Sequence, residues 1–334
     1  MHKDKYVFAQ LVSFLDRNKF NYIVRKYDGD KYVKHFTCWN QLLALMFDQP
    51  SNRESLRDLI VALEAHHSKC YHLGMGKNVS KSSLARANQD RDYHIFEEYA
   101  YYLVGEARQK RVNHIFKLGG NVYAFDSTTV DLCLSVFWWA KFRKKKGGIK
   151  VHTLYDVETQ IPAFFHITEA SIHDSKVMIE VPYEPDSYYI FDRGYNNFKM
   201  LYKIHQIEAY FVVRAKKNLQ YKSIKWKRRL PQNVFSDASV LLTGFHPKQY
   251  YPEPIRLAKY WDEEQKREFI FITDAMHISA LQVAELYKNR RQVELFFKWL
   301  KQHLKIKRFW GTTENAVRIQ IYAAICTYCL VAII

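Results

Sequence analysis

Residues 122–126, Val-Tyr-Ala-Phe-Asp, run four apolar, β-prone side chains into an aspartate, and residues 188–192, Tyr-Tyr-Ile-Phe-Asp, do so again. Short aromatic and β-branched runs of this kind read as buried strands. A strand end in a buried sheet holds a carboxylate rigidly at the rim of the core. Two such groups, Asp126 and Asp192, can share a divalent cation, although a single strand-end aspartate is more commonly a turn former or a helix cap. Residues 151–155 and 161–167 are further strand candidates joined by a turn at 157–160. Residues 174–181 and 197–205 read as helices, and 210–213 as another strand. Three strands, a helix, a strand, a helix and a strand make a mixed α/β core.

On the N-terminal side, residues 1–115 read as helical. Phe8, Leu11, Val12 and Leu15 recur at helical spacing, as do Leu42, Leu43, Leu45, Met46 and Phe47. Pro50-Ser51-Asn52 reads as a turn, with Ser51 a cap for a helix containing Leu56, Leu59, Ile60 and Leu63. Residues 72–79, with Gly74 and Gly76, read as a loop. Residues 80–88, Ser-Lys-Ser-Ser-Leu-Ala-Arg-Ala-Asn, are a small-polar turn and a short basic helix carrying Arg86. This is either the recognition helix of a helix-turn-helix or a capped surface helix.

On the C-terminal side, residues 215–275 break the α/β rhythm. They hold short β-like runs at 239–242, 255–260 and 269–273, four of the eight prolines, and no convincing amphipathic helix. They are expected to form a mostly β insertion between a first core segment, 116–214, and a second, 276–334. Ser279 is a cap candidate for a helix over about 280–304. In that helix, Arg290, Glu294 and Lys301 fall at about 300°, 340° and 320° from Tyr287, a polar stripe roughly 60° wide. Val293, Phe296, Phe297, Leu300 and Leu304 fill the adjacent sector, which would pack on the sheet. A carboxylate beside that seam, flanked by two cations and a phenol, suits one metal ligand with phosphate clamps. An exposed helix with an Arg290–Glu294 pair is the plainer alternative.

Tyr287, Arg290, Glu294 and Lys301 fill the pattern Tyr-x2-Arg-x3-Glu-x6-Lys, which resembles the YREK signature of IS4-family DDE transposases. Asp126 and Asp192 resemble the first and second acidic residues of that family, and residues 148–156 and 171–175 resemble it too. The likeness spans residues 121 to about 320. The 84–88 region is similar to the leader domain of one IS4 subgroup. The resemblance implies an RNase H-like mixed sheet core with a β insertion, preceded by an all-α N-terminal DNA-binding region. The spacing agrees: about 65 residues separate the two aspartates, and about 101 separate Asp192 from Glu294.

The family implies cut-and-paste transposition by phosphodiester hydrolysis and strand transfer, assisted by two Mg²⁺ ions, with Mn²⁺ as a substitute, roughly 4 Å apart. Asp126 would bridge the ions, with Asp192 and Glu294 completing their ligands. Water and then a freed 3′-OH would be the nucleophiles, and a hairpin can form at the transposon end. Tyr287, Arg290 and Lys301 would hold phosphates, and Lys150 and Lys298 would contact DNA. Trp226 or Trp261 would stack a flipped base; packing in the core is the alternative reading for either. The partners are double-stranded DNA and, on it, a second copy of the chain. Another RNase H-like nuclease and a transposase-derived, non-catalytic DNA-binding protein are the alternatives.

Charge points the same way. The 334 residues carry 51 Lys+Arg against 34 Asp+Glu, a net +17. Residues 141–150, 214–229 and 288–308 hold 22 Lys/Arg and one acid, Glu294, so 47 residues carry +21 and the other 287 sum to −4. Three basic blocks around an acidic triad suit a polyanion, with binding that falls steeply with salt. Five scattered cysteines argue against a disulfide framework. Cys326 and Cys329 read as buried core thiols rather than a metal or redox pair. His152, His166 and His173 match no metal-ligand spacing and read as structural. There is no Gly-rich phosphate loop. The opening residues lack a secretion signal, and residues 319–334 read as short for a bilayer span. That abrupt apolar end suggests a further C-terminal piece. A bacterial cytoplasmic, nucleoid-associated protein with no membrane partner is expected.

Overall fold

The helical spacing near the N-terminus folds largely as read, although α1 ends at Val12 and leaves Leu15 in the turn beyond it: α1 (Val7–Val12), α2 (Arg17–Lys26), α3 (Cys38–Ser51), α4 (Leu56–Ala65), α5 (Lys81–Asp90) and α6 (His94–Lys110). The computed structural model describes residues 7–333 except 52–54, 67, 69–74, 76–78, 112–115, 117, 144–145 and 304–308. Most of the expected 72–79 loop, Cys70, Leu304 and five basic-block residues (144, 145, 305, 307 and 308) lie outside the described residues. Two details of the reading change. α3 continues through Pro50 to Ser51 instead of turning there. The cap of α4 is Ser55, whose side chain accepts from the Asp58 N–H, so the cap falls four residues later than Ser51 suggests. Ser80 caps α5 as expected, accepting from the Ser83 N–H.

Six strands build the core: β1 (Val122–Leu132), β2 (Lys141–Arg143), β3 (Lys146–Asp156), β4 (Ile161–Glu169), β5 (Tyr188–Phe191) and β6 (Tyr210–Arg214). β4, β3 and β1 are successive antiparallel neighbours, and β1, β5 and β6 are parallel. This is the RNase H-like order, β4-β3-β1-β5-β6. The crossover from β5 to β6 is α7 (Phe198–Gln206), which a parallel pair requires. Residues Asp174–Glu180 are a 3₁₀ helix.

The insertion comprises β7 (Tyr221–Trp226), β8 (Val234–Leu242), α8 (Phe245–Tyr250), β9 (Ile255–Asp262) and β10 (Arg267–Thr273). Its strands extend the core sheet rather than forming a layer of their own. β10 pairs antiparallel with β6, and the order continues β10-β9-β8-β7, giving ten strands among the described residues. β7 carries no apolar alternation, and all six of its residues are exposed.

The sheet has two covered faces. Tyr123, Phe125, Leu154, Phe191 and Phe211 pack with Met200, Leu201 and Ile204 of α7 on one face. On the other lie Ala124, Ile190 and Val212 with α9 (Ala280–Asn289) and α10 (Arg291–His303). The anticipated seam residues Val293, Phe296, Phe297 and Leu300 are all buried there. Burying each such side chain contributes about 1.5–3 kcal/mol.

The last helix, α11 (Glu314–Ile333), packs against α3, α5, α6 and β4. Its Asn315 stitches the α5–α6 turn, donating to the carbonyls of Asn88 (3.1 Å), Gln89 (3.2 Å) and Arg91 (2.6 Å). The helix starts five residues before the apolar run does, and by length and composition it could cross a bilayer, but 72% of its apolar window is buried in the fold. Cys326 and Cys329 are fully buried free thiols in this helix.

Candidate active site

β1 and β5 lie side by side in register, with Phe125 opposite Phe191. The next residue on each is an aspartate, Asp126 and Asp192. β5 stops at Phe191, so Asp192 does follow a strand end. Asp126 does not: β1 runs on to Leu132 against β3 alone. The polar but β-prone residues after it keep the ladder going. Asp126 therefore sits where β1 loses its parallel neighbour, and with adjacent strands about 4.8 Å apart both carboxylates share one rim.

The single helix expected over 280–304 is two helices meeting at Arg290. α9 begins with a capping box in which Ser279 and Gln282 bond each other's backbone. At Arg290 the bonds shift to i→i−3: the Arg290 N–H donates to Tyr287 O (3.1 Å), and the Val293 N–H donates to Arg290 O (3.2 Å). This single tight turn separates the two helices. The polar stripe from Tyr287 to Glu294 survives this junction. Tyr287 Oη donates to Asp192 Oδ1 at 2.9 Å. Arg290 Nη1 donates to Asp126 Oδ2 at 2.7 Å, while Nη2 donates to Glu294 Oε1. Arg290 Nε is buried and has no hydrogen-bond partner among the described residues.

These contacts shape the charges. Burial raises the Asp126 carboxyl to about 6, against the opposing pull of Arg290 and the Ser127 N–H. At Asp192 burial also favours the neutral acid, but the Arg193 N–H, the Tyr287 hydroxyl and Arg290 together outweigh it and hold the group below the usual carboxylate range. Burial, and then Asp192, push the Tyr287 phenol up to about 12. Burial disfavours the charge on Arg290, yet Asp126, Tyr287 and Glu294 keep it firmly protonated.

Three carboxylates brought to one rim are a hard-oxygen donor set, the kind that Mg²⁺ and Mn²⁺ take. Among the described residues no three potential ligands stand close enough to enclose one ion; the Arg290 guanidinium lies between Asp126 and Glu294 and holds both. The donor chemistry fits a divalent cation, with one oxygen each of Asp126 and Glu294 engaged by Arg290.

The other anticipated residues spread wider. Lys301 is half-buried on α10, two turns beyond Glu294, and Lys298 is exposed one turn beyond it. Lys150 is on β3 and points to the opposite face of the sheet, with its Nζ 3.1 Å from Asp174 Oδ1. Trp226 is exposed on β7, at the far edge of the sheet; Trp261 is half-buried beside Phe235. Arg86 is exposed on α5. His152 is fully buried with Nε2 2.9 Å from Thr168 Oγ1, and His173 caps the Asp174–Glu180 turn.

Two groups were not anticipated. A cleft of about 490 Å³ opens beside Asp192, lined by Arg214, Phe269, Tyr287, Arg290 and Glu294. The Arg214 guanidinium lies 4.9 Å from the Phe269 ring centroid, and Arg267 lies 4.4 Å from it. Arg214 belongs to a basic block but sits on β6, and only the pairing of β6 with β10 puts it over Phe269. The second group is Asp174 with Ser127, behind Asp126.

A sheet of this order with two rim aspartates and a helix glutamate defines an RNase H-like enzyme of phosphoryl transfer. Comparison with known proteins narrows the class. The transposase DDE domain family matches residues 117–330, and a family described only as a domain of unknown function matches residues 3–76. A protein named as transposase y4zB in Sinorhizobium fredii is 33% identical over 257 residues, covering 75% of this chain and 70% of its own. One named as a transposase for insertion sequence element IS5377 in Geobacillus stearothermophilus is 30% identical over 249 residues, with 75% and 66% covered. One named for element IS4SA in Synechocystis is 25% identical over 332 residues, with 95% and 88% covered. The chain belongs to the DDE transposases of insertion sequences. Membership implies a DNA substrate and a divalent metal ion.

Proposed function

We propose that Asp126, Asp192 and Glu294 are the catalytic carboxylates of this transposase, and that they hold Mg²⁺, with Mn²⁺ as a substitute, while the transposon ends are cut and joined to target DNA. The observation that carries this is the convergence, through Tyr287 and Arg290, of acids from three distant chain positions on one sheet rim. A bound divalent ion supplies charge stabilisation for the attacking and leaving oxygens of an in-line displacement at phosphorus.

The chain's own residues do the rest. Arg290, which lines the cleft beside Asp192 and has a buried Nε with no hydrogen-bond partner among the described residues, is the guanidinium that would take a phosphate oxygen. Arg214, its guanidinium 4.9 Å from the Phe269 ring centroid in the cleft beside Asp192, offers a second guanidinium for the flanking phosphate. Lys298 and Lys301 continue the basic track along α10. Tyr287 keeps Asp192 ionised and oriented. The exposed Trp226 is available to stack on an unpaired base, and Arg86 on α5 to contact the terminal repeat. The protein acts as a homodimer on DNA in the bacterial cytoplasm.

The test uses the DNA that flanks the gene as substrate, with a labelled target duplex and Mg²⁺. Joined products support a transposase. Cutting without joining indicates a nuclease, and a mobility shift without cutting indicates a DNA-binding protein only.

A further inference from the structure

Asp126 and Ser127 are neighbours in β1, but their side chains leave opposite faces of the sheet. Successive residues of a strand alternate in this way. Ala124 packs in the core beneath α10, and Phe125 packs in the core of the other face against Phe191 and Tyr195. Asp126 therefore faces Arg290, and Ser127 faces the 3₁₀ turn at Asp174–Glu180. On that second face four polar groups converge. Ser127 Oγ donates to Asp174 Oδ1 at 2.9 Å. Lys150 Nζ lies 3.1 Å from the same oxygen and donates to the Ile172 carbonyl at 2.7 Å. His152, paired with Ser127 across β1 and β3, brings its Nδ1 to 3.9 Å from it. The Lys150 side chain is only 13% exposed, so this ammonium is committed to the interior of the cluster.

The cluster reaches Asp126 through one peptide group. The Ser127 N–H donates to Asp126 Oδ1 at 2.8 Å, while Arg290 takes Oδ2 at 2.7 Å. If Arg290 turns to a phosphate, the Ser127 N–H is what still orients the Asp126 carboxylate. A peptide on an edge of β1 without its β5 neighbour has no second strand to fix it there, whereas a side chain anchored on the opposite face does fix it.

We propose that Asp174, supported by Lys150, is a positioning residue for Asp126, acting through Ser127. This rests on the reading of Asp126 as a catalytic carboxylate. Residues that orient a metal-binding carboxylate from behind typically change metal affinity or rate about 10- to 100-fold.

The experiment uses the full chain with Asp174→Asn, Ser127→Ala, the double variant and Ser127→Thr. Single-turnover cleavage, DNA affinity and Mn²⁺ affinity (free Mn²⁺ by electron paramagnetic resonance) are measured on each. The single variants should lose about 10- to 100-fold in rate and bind Mn²⁺ more weakly, with DNA affinity unchanged. The double variant should be no worse than the poorer single one, because both act along one line. Ser127→Thr, which keeps the hydroxyl, should recover most of the rate. Wild-type rates in Asp174→Asn and Ser127→Ala would overturn the proposal, as would losses that multiply or that follow DNA affinity. Should Asp174→Asn fail to fold, the Ser127 pair decides alone. Asp126→Asn separates the two levels: if it still cleaves, the site assignment itself is wrong; if it is dead while the Ser127 and Asp174 variants are normal, only the positioning role falls.

Discussion

The guanidinium of Arg290 donates to the carboxylate of Asp126 at 2.7 Å, joining residues 164 positions apart in the chain. The two side chains are 15% and 21% exposed, and the same guanidinium also holds Glu294. One cation thus balances a rim of acids. Arg290→Ala should leave Asp126 desolvated and uncompensated, lowering stability by about 3 kcal/mol. Mn²⁺ should restore more of the melting temperature in this variant than it adds to the wild type, because a bound ion replaces the lost charge. Thermal melts with Mn²⁺ and with chelator test this; an equal response in both proteins would contradict it.

Tyr287 is held as much by its ring as by its hydroxyl. The ring lies 5.7 Å from Phe269 and 4.8 Å from Phe271. Tyr287→Phe should therefore fold normally. It removes the bond to Asp192, a neutral donor on a charged acceptor worth about 1.5 kcal/mol, so cleavage should slow about tenfold. Single-turnover rates at matched DNA occupancy measure this. A change in binding alone would assign Tyr287 to the DNA and not to Asp192.

Arg256 ties the insertion to the helix that carries Tyr287. It donates to both Asp237 oxygens (2.7 and 2.8 Å) and to the carbonyls of Ala275 (3.1 Å) and Ile278 (2.6 Å), just before α9. Arg256 and Asp237 are 3% and 5% exposed. Arg256→Met should cost about 3 kcal/mol in urea denaturation, since it strands a buried carboxylate, and Arg256→Lys should recover little because an ammonium lacks the fork. A cost below about 1 kcal/mol would mean that Lys227, 3.0 Å from Asp237, already compensates the charge.

His152 makes a pH prediction. Burial lowers its pKa to about 4, only partly offset by Asp174, whereas an unfolded histidine titrates near 6.5. Between those values the unfolded chain takes up a proton that the folded chain refuses. Stability from this group is complete above about pH 6.5 and is lost as pH falls toward about 4, by roughly 3 kcal/mol. His152→Gln should flatten that part of the stability profile. An unchanged slope would mean that other groups set the acid limit.

Much of this was legible in the residues. The apolar runs into Asp126 and Asp192, the Tyr287-to-Glu294 stripe and its buried seam are local patterns, and local patterns survive folding. What was missed depended on pairing across the chain. β7 has no buried face to read, and β1 passes Asp126 because β3 sustains it. The break between the two helices at Arg290 is announced by no proline or glycine. Arg214 reaches the cleft only because β6 and β10 are neighbours. Asp174 lay within a stretch that the family likeness covers, but its link to Ser127 requires the alternation of β1 and the placement of the 3₁₀ turn.

The most direct test of the whole account is cleavage of labelled transposon-end DNA by Asp126→Asn, Asp192→Asn and Glu294→Gln, each beside a binding measurement on the same DNA. Abolished cleavage with retained binding in all three is the predicted result. Retained cleavage in any one of them would contradict the triad.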